Sequence, residues 1–394
     1  MSDSRRSRPP SSGSPDALAS FAVPGWIHHL GGWLHRHPRA MIRLGNLETR
    51  MIQEAIAERV VDRPIYIAGL ARSGTTILLE RLAEHPAVGS HRYIDFPLVA
   101  TPYWWNRWLA LVPQTGDRAR QRAHNDGIAV TAQSPEAFEE MLWMTFFPTA
   151  HDPGRCATLD RRTENPPFAR FYDEHIRKLL AVRNRQRYVA KGNYNLVRLG
   201  YLHALYPGAR FVLAIRDPLW HIASLMKQQA LFVRGETAHP RALEHMRRVG
   251  HFEFGLDRRA IHVGDDDLAA RIASLWRAGE EVAGWAHYWA GLYRHVAATL
   301  AADAALREAC LIVRYETLCE RPAETLAAVY AHCGLGIDSE ALARGASRLH
   351  FPGYYRPDFS DRERALIEEL TGPVAASFGY AGARGGEDGA ECRG

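Results

Sequence analysis

Short, almost continuous apolar runs recur along this chain at "PIYIAGL" (64–70), "RYVAK" (187–191), "ARFVLAIRDP" (209–218) and "CLIVRYETL" (310–318). Runs of this length without alternation predict strands buried on both faces. Between them, apolar positions fall at helical spacing. Helices are predicted from about Thr75 to Glu84, near 166–183, and over "YNLVRLGYLHALYP", "PLWHIASLMKQQALFV" and "PAETLAAVYAHCGL". One long helix is predicted over "GDDDLAARIASLWRAGEEVAGWAHYWAGLYRHVAATL", with the acid run Asp265 to Asp267 as its cap. One or two amphipathic helices precede the first strand. Val88 to Tyr93 reads as a further strand, Ser134 with Pro135 and Glu136 as a helix start, and 234–267 as an insertion or loop.

Strands alternating with helices predict an α/β fold, a three-layer α/β/α arrangement around a central, mostly parallel sheet. Extra helices are expected at the N-terminus and in insertions at about 94–180 and 230–300. One domain is expected over 19–380, between a disordered tail of residues 1–18 and a flexible tail of 381–394. Sheets of this kind bind ligands at the carboxyl ends of their strands. Here three predicted strands end on glycine or a cation, at Gly69, Lys191 and Arg216.

Composition narrows the partners. The 394 residues carry a net charge of +5, and arginine far outnumbers lysine. No long basic block of the nucleic-acid type is present, so a focused anion site is expected. The five cysteines are widely spaced with no C-x-x-C pair, which argues against a zinc site and a disulfide framework. No apolar run approaches the ~20 residues of a membrane span. A cytoplasmic protein is expected, with peripheral contact at the inner membrane face open through "WIHHLGGWLHRHP".

The turn Gly69-Leu-Ala-Arg-Ser-Gly74-Thr75-Thr76 has the glycine spacing of a P-loop, but Thr75 stands where the loop lysine belongs. Such a turn aims backbone N–H groups at an anion from the positive end of a helix. Ser73, Thr75 and Thr76 add hydroxyls, and Arg72 adds a planar cation. Without the lysine, a ligand less charged than a nucleoside triphosphate, needing no magnesium, is indicated.

"IAGLARSGTT" resembles the 5′-phosphosulfate loop of sulfotransferases that use 3′-phosphoadenosine 5′-phosphosulfate (PAPS). "ARFVLAIRDPLWHIASLM" resembles their 3′-phosphate segment, with Arg216 and, eight residues on, Ser224. The resemblance extends through "AKGNYNLVRLGYLHALYPGARF" and "VRYETLCERPAETL", and is strongest to bacterial carbohydrate- or lipid-type enzymes and tyrosylprotein sulfotransferases. It implies a P-loop-containing fold and transfer of a sulfuryl group from PAPS to a hydroxyl or amine of a glycan, lipid or other small acceptor. The product would be adenosine 3′,5′-bisphosphate, and no metal would take part. Cofactor contacts would come from Arg72, Ser73, Gly74, Thr75, Thr76, Arg216 and Ser224.

For catalysis the resemblance points to Lys191, whose spacing ahead of Arg216 is similar to that of the catalytic lysine of tyrosylprotein sulfotransferases. Arg72 would contact the same developing charge. The familiar glutamate aligns with Tyr93 here, so the base is sought nearby: Asp95 first, His91 as the alternative. Glu136 and Glu139 read as capping or solvated residues. Trp104, Trp105 and Trp108 read more simply as core packing than as an acceptor wall. A P-loop kinase and a non-catalytic binder of the bisphosphate are the competing readings.

Overall fold

The computed structural model describes residues 18–111, 120–121, 129–351 and 357–380. The tails expected at 1–18 (Leu18 excepted) and 381–394 lie outside the described residues. Two helices lead, α1 (Gly25–Arg36) and α2 (Pro38–Met51). Then come β1 (Ile65–Ala68), α3 (Thr75–Ala83), β2 (Val88–Gly89), α4 (Pro102–Leu111), α5 (Glu139–Phe146) and α6 (Pro166–Arg183). The second half supplies β3 (Arg187–Gly192), β4 (Arg210–Ile215), α7 (Pro218–Ala238), α8 (Pro240–Val249), α9 (Asp266–Arg277), α10 (Glu281–Ala302), β5 (Cys310–Arg314) and α11 (Pro322–His332). A last helix, α12, spans Asp361–Ala376.

Among the described residues these strands form one parallel sheet in the order β2-β3-β1-β4-β5. Successive side chains of a strand face opposite sides, and β1 shows why its run is apolar throughout. Ile65 and Ile67 join the core under α3 and α11, while Tyr66 and Ala68 join the larger core against α6, α7 and α10. β1 lies centrally, with Ala68 in register with Gly192 of β3 and Leu213 of β4. The loop after β1 therefore opens where chain order reverses across the sheet, between two other strand ends.

The predicted strands and most helices lie where the apolar pattern puts them, and Asp265 caps α9 through the Leu268 amide at 2.9 Å. Several expectations need correcting. The strand expected over Val88 to Tyr93 stops at Gly89, and Tyr93–Asp95 form a single 3-10 turn. The helix expected at Ser134 begins at Glu139. Within the expected loop, α7 runs on to Ala238 and α8 covers Pro240–Val249, setting an exposed charged face against a buried Ala242. The long helix expected over 264–300 is two helices, broken where Gly279 takes a left-handed φ of 80°.

The N-terminal helices dock through a buried ion pair. Lys178 Nζ of α6 lies 3.0 Å from Glu48 Oε2 of α2, and Glu48 Oε1 accepts the Trp104 amide at 2.6 Å. Among the described residues no helix is long and apolar enough to cross a membrane.

Candidate active site

The loop Gly69–Thr76 is shaped by contacts that fix each of its glycines. A Cβ on Gly69 would overlap the Ala214 carbonyl oxygen, and one on Gly74 would stand 2.8 Å from the Tyr315 ring. Gly74 has a φ of 97°, and Arg72 is itself left-handed at 74°. Such a backbone angle in a non-glycine residue is held by its surroundings, and functional loops are where it clusters. The Ser73 hydroxyl is turned inward and donates to the Leu70 carbonyl at 2.7 Å, tightening the turn. Thr75 is buried and Thr76 half-buried in the first turn of α3.

The two arginines meet at this loop. Arg72 Nε donates to Ser224 Oγ of α7 at 3.3 Å. Arg216 directly follows β4, donates to the Arg72 carbonyl at 3.4 Å and lies over the Tyr315 ring at 4.7 Å. Asp217 caps α7 through the Trp220 amide at 3.2 Å, and Glu316 accepts the Asp217 amide at 3.0 Å. Lys191 is half-buried and in register with Ile67, beside the carboxyl end of β1. The fold thus gathers Arg72, Ser73, Gly74, Thr75, Thr76, Arg216, Ser224 and Lys191 at one edge of the sheet.

Beneath the loop, buried His221 pairs its Nε2 with the Ala71 carbonyl at 2.8 Å, and Trp289 donates to its Nδ1 at 3.2 Å. These partners require the neutral ring with its proton on Nε2. Burial is the main cause that pushes His221 down to about 3. The unfolded chain therefore takes up a proton near pH 6.5 that the folded chain refuses until about 3, and stability drains away across that window as pH falls. Thermal midpoints measured across it should fall, and less steeply for His221→Gln. Parallel slopes for the two proteins would refute this role.

His91 and Asp95 require a correction. Asp95 is 0% exposed, with Oδ1 accepting from Arg183 at 2.5 Å and Asn106 at 2.7 Å, and Oδ2 from the Arg92 amide at 2.8 Å. Burial alone would raise its pKa, but His91, Arg183 and Asn106 hold it well below the usual carboxylate range. Buried His91 sits between Asp95, 3.4 Å from its Nδ1, and His175, 3.0 Å from its Nε2. A carboxylate so enclosed and so weakly basic is not placed to take an acceptor's proton. The pair instead ties the 3-10 turn to α6. Glu139 is not solvated either; it is buried and accepts hydroxyl protons from Tyr172 and Tyr188, and burial raises its pKa.

A different carboxylate meets the residue that follows β3. Asn193, the residue after β3, donates through Nδ2 to Glu253 Oε1 at 2.6 Å, and Glu253 Oε2 has His251 Nδ1 at 3.4 Å. Nothing in the local sequence marks Glu253, which lies 60 residues from its partner. The stretch around it is fastened on both sides. The Phe252 amide donates to Tyr194 Oη at 3.1 Å, while Gly255 and Gln229 of α7 exchange hydrogen bonds of 2.9 and 3.0 Å.

A glycine loop at the centre of a parallel sheet, with cations from the two adjoining strand ends, defines a P-loop α/β protein. The chain belongs to the sulfotransferase family, whose model matches residues 64–262, a span holding the loop, Lys191, Arg216 and Ser224. Similar solved structures include sulfotransferase STF9 from Mycobacterium avium, at 17% identity over 84% of this chain and 80% of that one, with a TM-score of 0.47. Another is sulfotransferase STF1 from Mycobacterium tuberculosis H37Rv, at 18% identity over 94% of each chain, with a TM-score of 0.45. No curated protein matches the chain.

Proposed function

We propose that this protein transfers a sulfuryl group from PAPS to a hydroxyl or amine group of a carbohydrate or lipid acceptor, with side-chain cations doing the work a metal does in kinases. The observation that carries the reading is the contact between the two anion-binding segments: Arg72 is held by Ser224, and Arg216 by the Arg72 carbonyl. The residues fit a nucleotide phosphorylated at both ends. The loop amides and Arg72 suit the 5′ end, and Arg216 with Ser224 suits the 3′ phosphate. PAPS, when bound, would supply the sulfuryl group: the S–O bond to its 5′-phosphate would break as an S–O or S–N bond to the acceptor forms, and the acceptor's proton would leave to a base. Lys191 and Arg72 bring positive charge to the departing phosphate oxygen. Glu253, hydrogen-bonded to Asn193 just past β3, is the carboxylate we assign to take the proton.

Calorimetry with adenosine 3′,5′-bisphosphate in chelator, beside ATP with magnesium, tests the reading. The bisphosphate should bind and ATP should not. Arg216→Ala should weaken the bisphosphate by ~10-fold or more, the worth of a charge-assisted hydrogen bond. Binding of ATP alone would replace the sulfotransferase by a kinase.

Peripheral contact with an anionic lipid surface is part of the same reading. Trp26 and Trp33 of α1 and Leu44, Leu47 and Met51 of α2 are exposed, as are Arg36, Arg39, Arg43 and Arg50. Glu48, the one acid among residues 25–51, is buried against Lys178. Aromatic, aliphatic and cationic groups mixed on exposed helices suit an interface. The protein should sediment with vesicles containing phosphatidylglycerol and not with phosphatidylcholine alone, and Met51→Glu should weaken this. Equal recovery with both vesicles would remove the lipid contact.

A further inference from the structure

A cavity of about 1590 Å³ lies between α1, α2, α5, α7, α8 and α9. It exceeds the ~300–1,000 Å³ of ordinary small-molecule pockets. The fastened stretch 252–257 forms part of its wall, through Phe252, Gly255, Leu256 and Asp257. That stretch ties the cavity to the catalytic edge from two directions. Glu253 is bonded to Asn193, two residues beyond Lys191, and Gly255 to Gln229 of α7. Gln229 also lines the cavity and stands five residues, or ~7.5 Å along the helix, beyond Ser224.

The lining has two chemistries. Leu34, Met41, Val99, Met141, Leu142 and Met144 make an apolar wall in which methionine supplies an adaptable surface. The same lining carries His151, Arg247, Arg258, Arg259 and Asp257. Each of these cations has an acid partner, with Arg247 and Arg259 sharing one. Arg247 and Arg259 lie 2.7 and 2.8 Å from Asp257, and Arg258 lies 2.6 Å from Glu281. His151 is 2.6 Å from Glu140, which Arg198 also holds at 2.7 Å. A head group reaching these residues meets donors and acceptors already paired with one another, which favours an uncharged polar head over an anion.

We infer that this cavity is the acceptor site and that its occupant is a single-chain amphiphile with an uncharged, hydroxyl-bearing head. The chain lies along the methionine wall, and the head is delivered beside Glu253 at the end of β3. The inference rests on the sulfotransferase reading for the word acceptor, but the binding it describes stands or falls separately.

The test is calorimetric titration of the full chain with octyl, decyl and dodecyl β-D-glucoside below their critical micelle concentrations, with glucose and sodium decanoate as comparators. Affinity should rise roughly tenfold for each two added methylenes, and glucose alone should not bind. Met41→Asp should abolish the chain-length dependence and keep its affinity for the bisphosphate, which also certifies its fold. Arg72→Ala should do the reverse. Failure of every glucoside to bind a protein that still takes the bisphosphate would overturn the inference and leave the donor site standing. Tighter binding of decanoate than of decyl glucoside would overturn the uncharged head. Glucoside binding without bisphosphate binding would keep the cavity and end the sulfotransferase reading.

Discussion

Lys191→Ala should slow sulfuryl transfer from PAPS by ~100–1,000-fold, the usual loss when one donor to a developing oxyanion is removed. Its affinity for adenosine 3′,5′-bisphosphate should stay within a few-fold of the parent. The distinction follows from position. Arg216, Ser224 and Arg72 form a connected set around the loop, whereas Lys191 approaches from β3, on the other side of β1. A group on that side can act on charge that appears during the reaction while adding little to ground-state binding. Single-turnover rates with labelled PAPS, set beside calorimetry, measure the two effects separately. Matched losses of rate and affinity would make Lys191 an anchor for the nucleotide instead.

Asp95→Asn carries the other large effect, and it falls on stability. Its carboxylate, itself fully buried, neutralises Arg183 within a network that also includes His91 and Asn106. Removing one member of a buried ion pair leaves the other charge stranded, at a cost of ~3–5 kcal/mol. Urea unfolding should show a loss of that order, while the molecules that remain folded keep their turnover. Unchanged stability with transfer abolished would restore Asp95 as the base and overturn the structural role given to it above.

The contrast between Lys191 and Asp95 marks where the sequence could be read. β1, β3 and β4 are buried on both faces, so their apolar runs are unbroken, and the first cation or glycine after each run marks the edge of the sheet where the anion loop lies. Loop, Lys191 and Arg216 were legible because all are set by strand ends. Asp95 was not, since its partner Arg183 lies 88 residues away and the His175 beneath His91 lies 84 away. A carboxylate looks the same in sequence whether it faces an acceptor or a buried guanidinium. Helix α8 was misread for a related reason: its polar face dominates the composition, and the little that it buries is visible only against its neighbours. Glu253 belongs to an irregular stretch whose placement depends on Asn193, Tyr194 and Gln229.

The two halves of the site are also carried by different elements of the fold. The anion loop and its cations sit on strand ends and the turns that follow them, braced by Trp289, Tyr293, Tyr315 and Glu316 from later in the chain. The walls of the cavity come chiefly from segments near 34–41, 141–151 and 229–277, with Val99 added, packed around that sheet but outside it. Substitutions that reshape the cavity can therefore accumulate without disturbing the strands that hold the donor. A lineage could exchange one acceptor for another while its nucleotide chemistry stays constant. Directed evolution toward a new acceptor should concentrate its mutations in those three stretches.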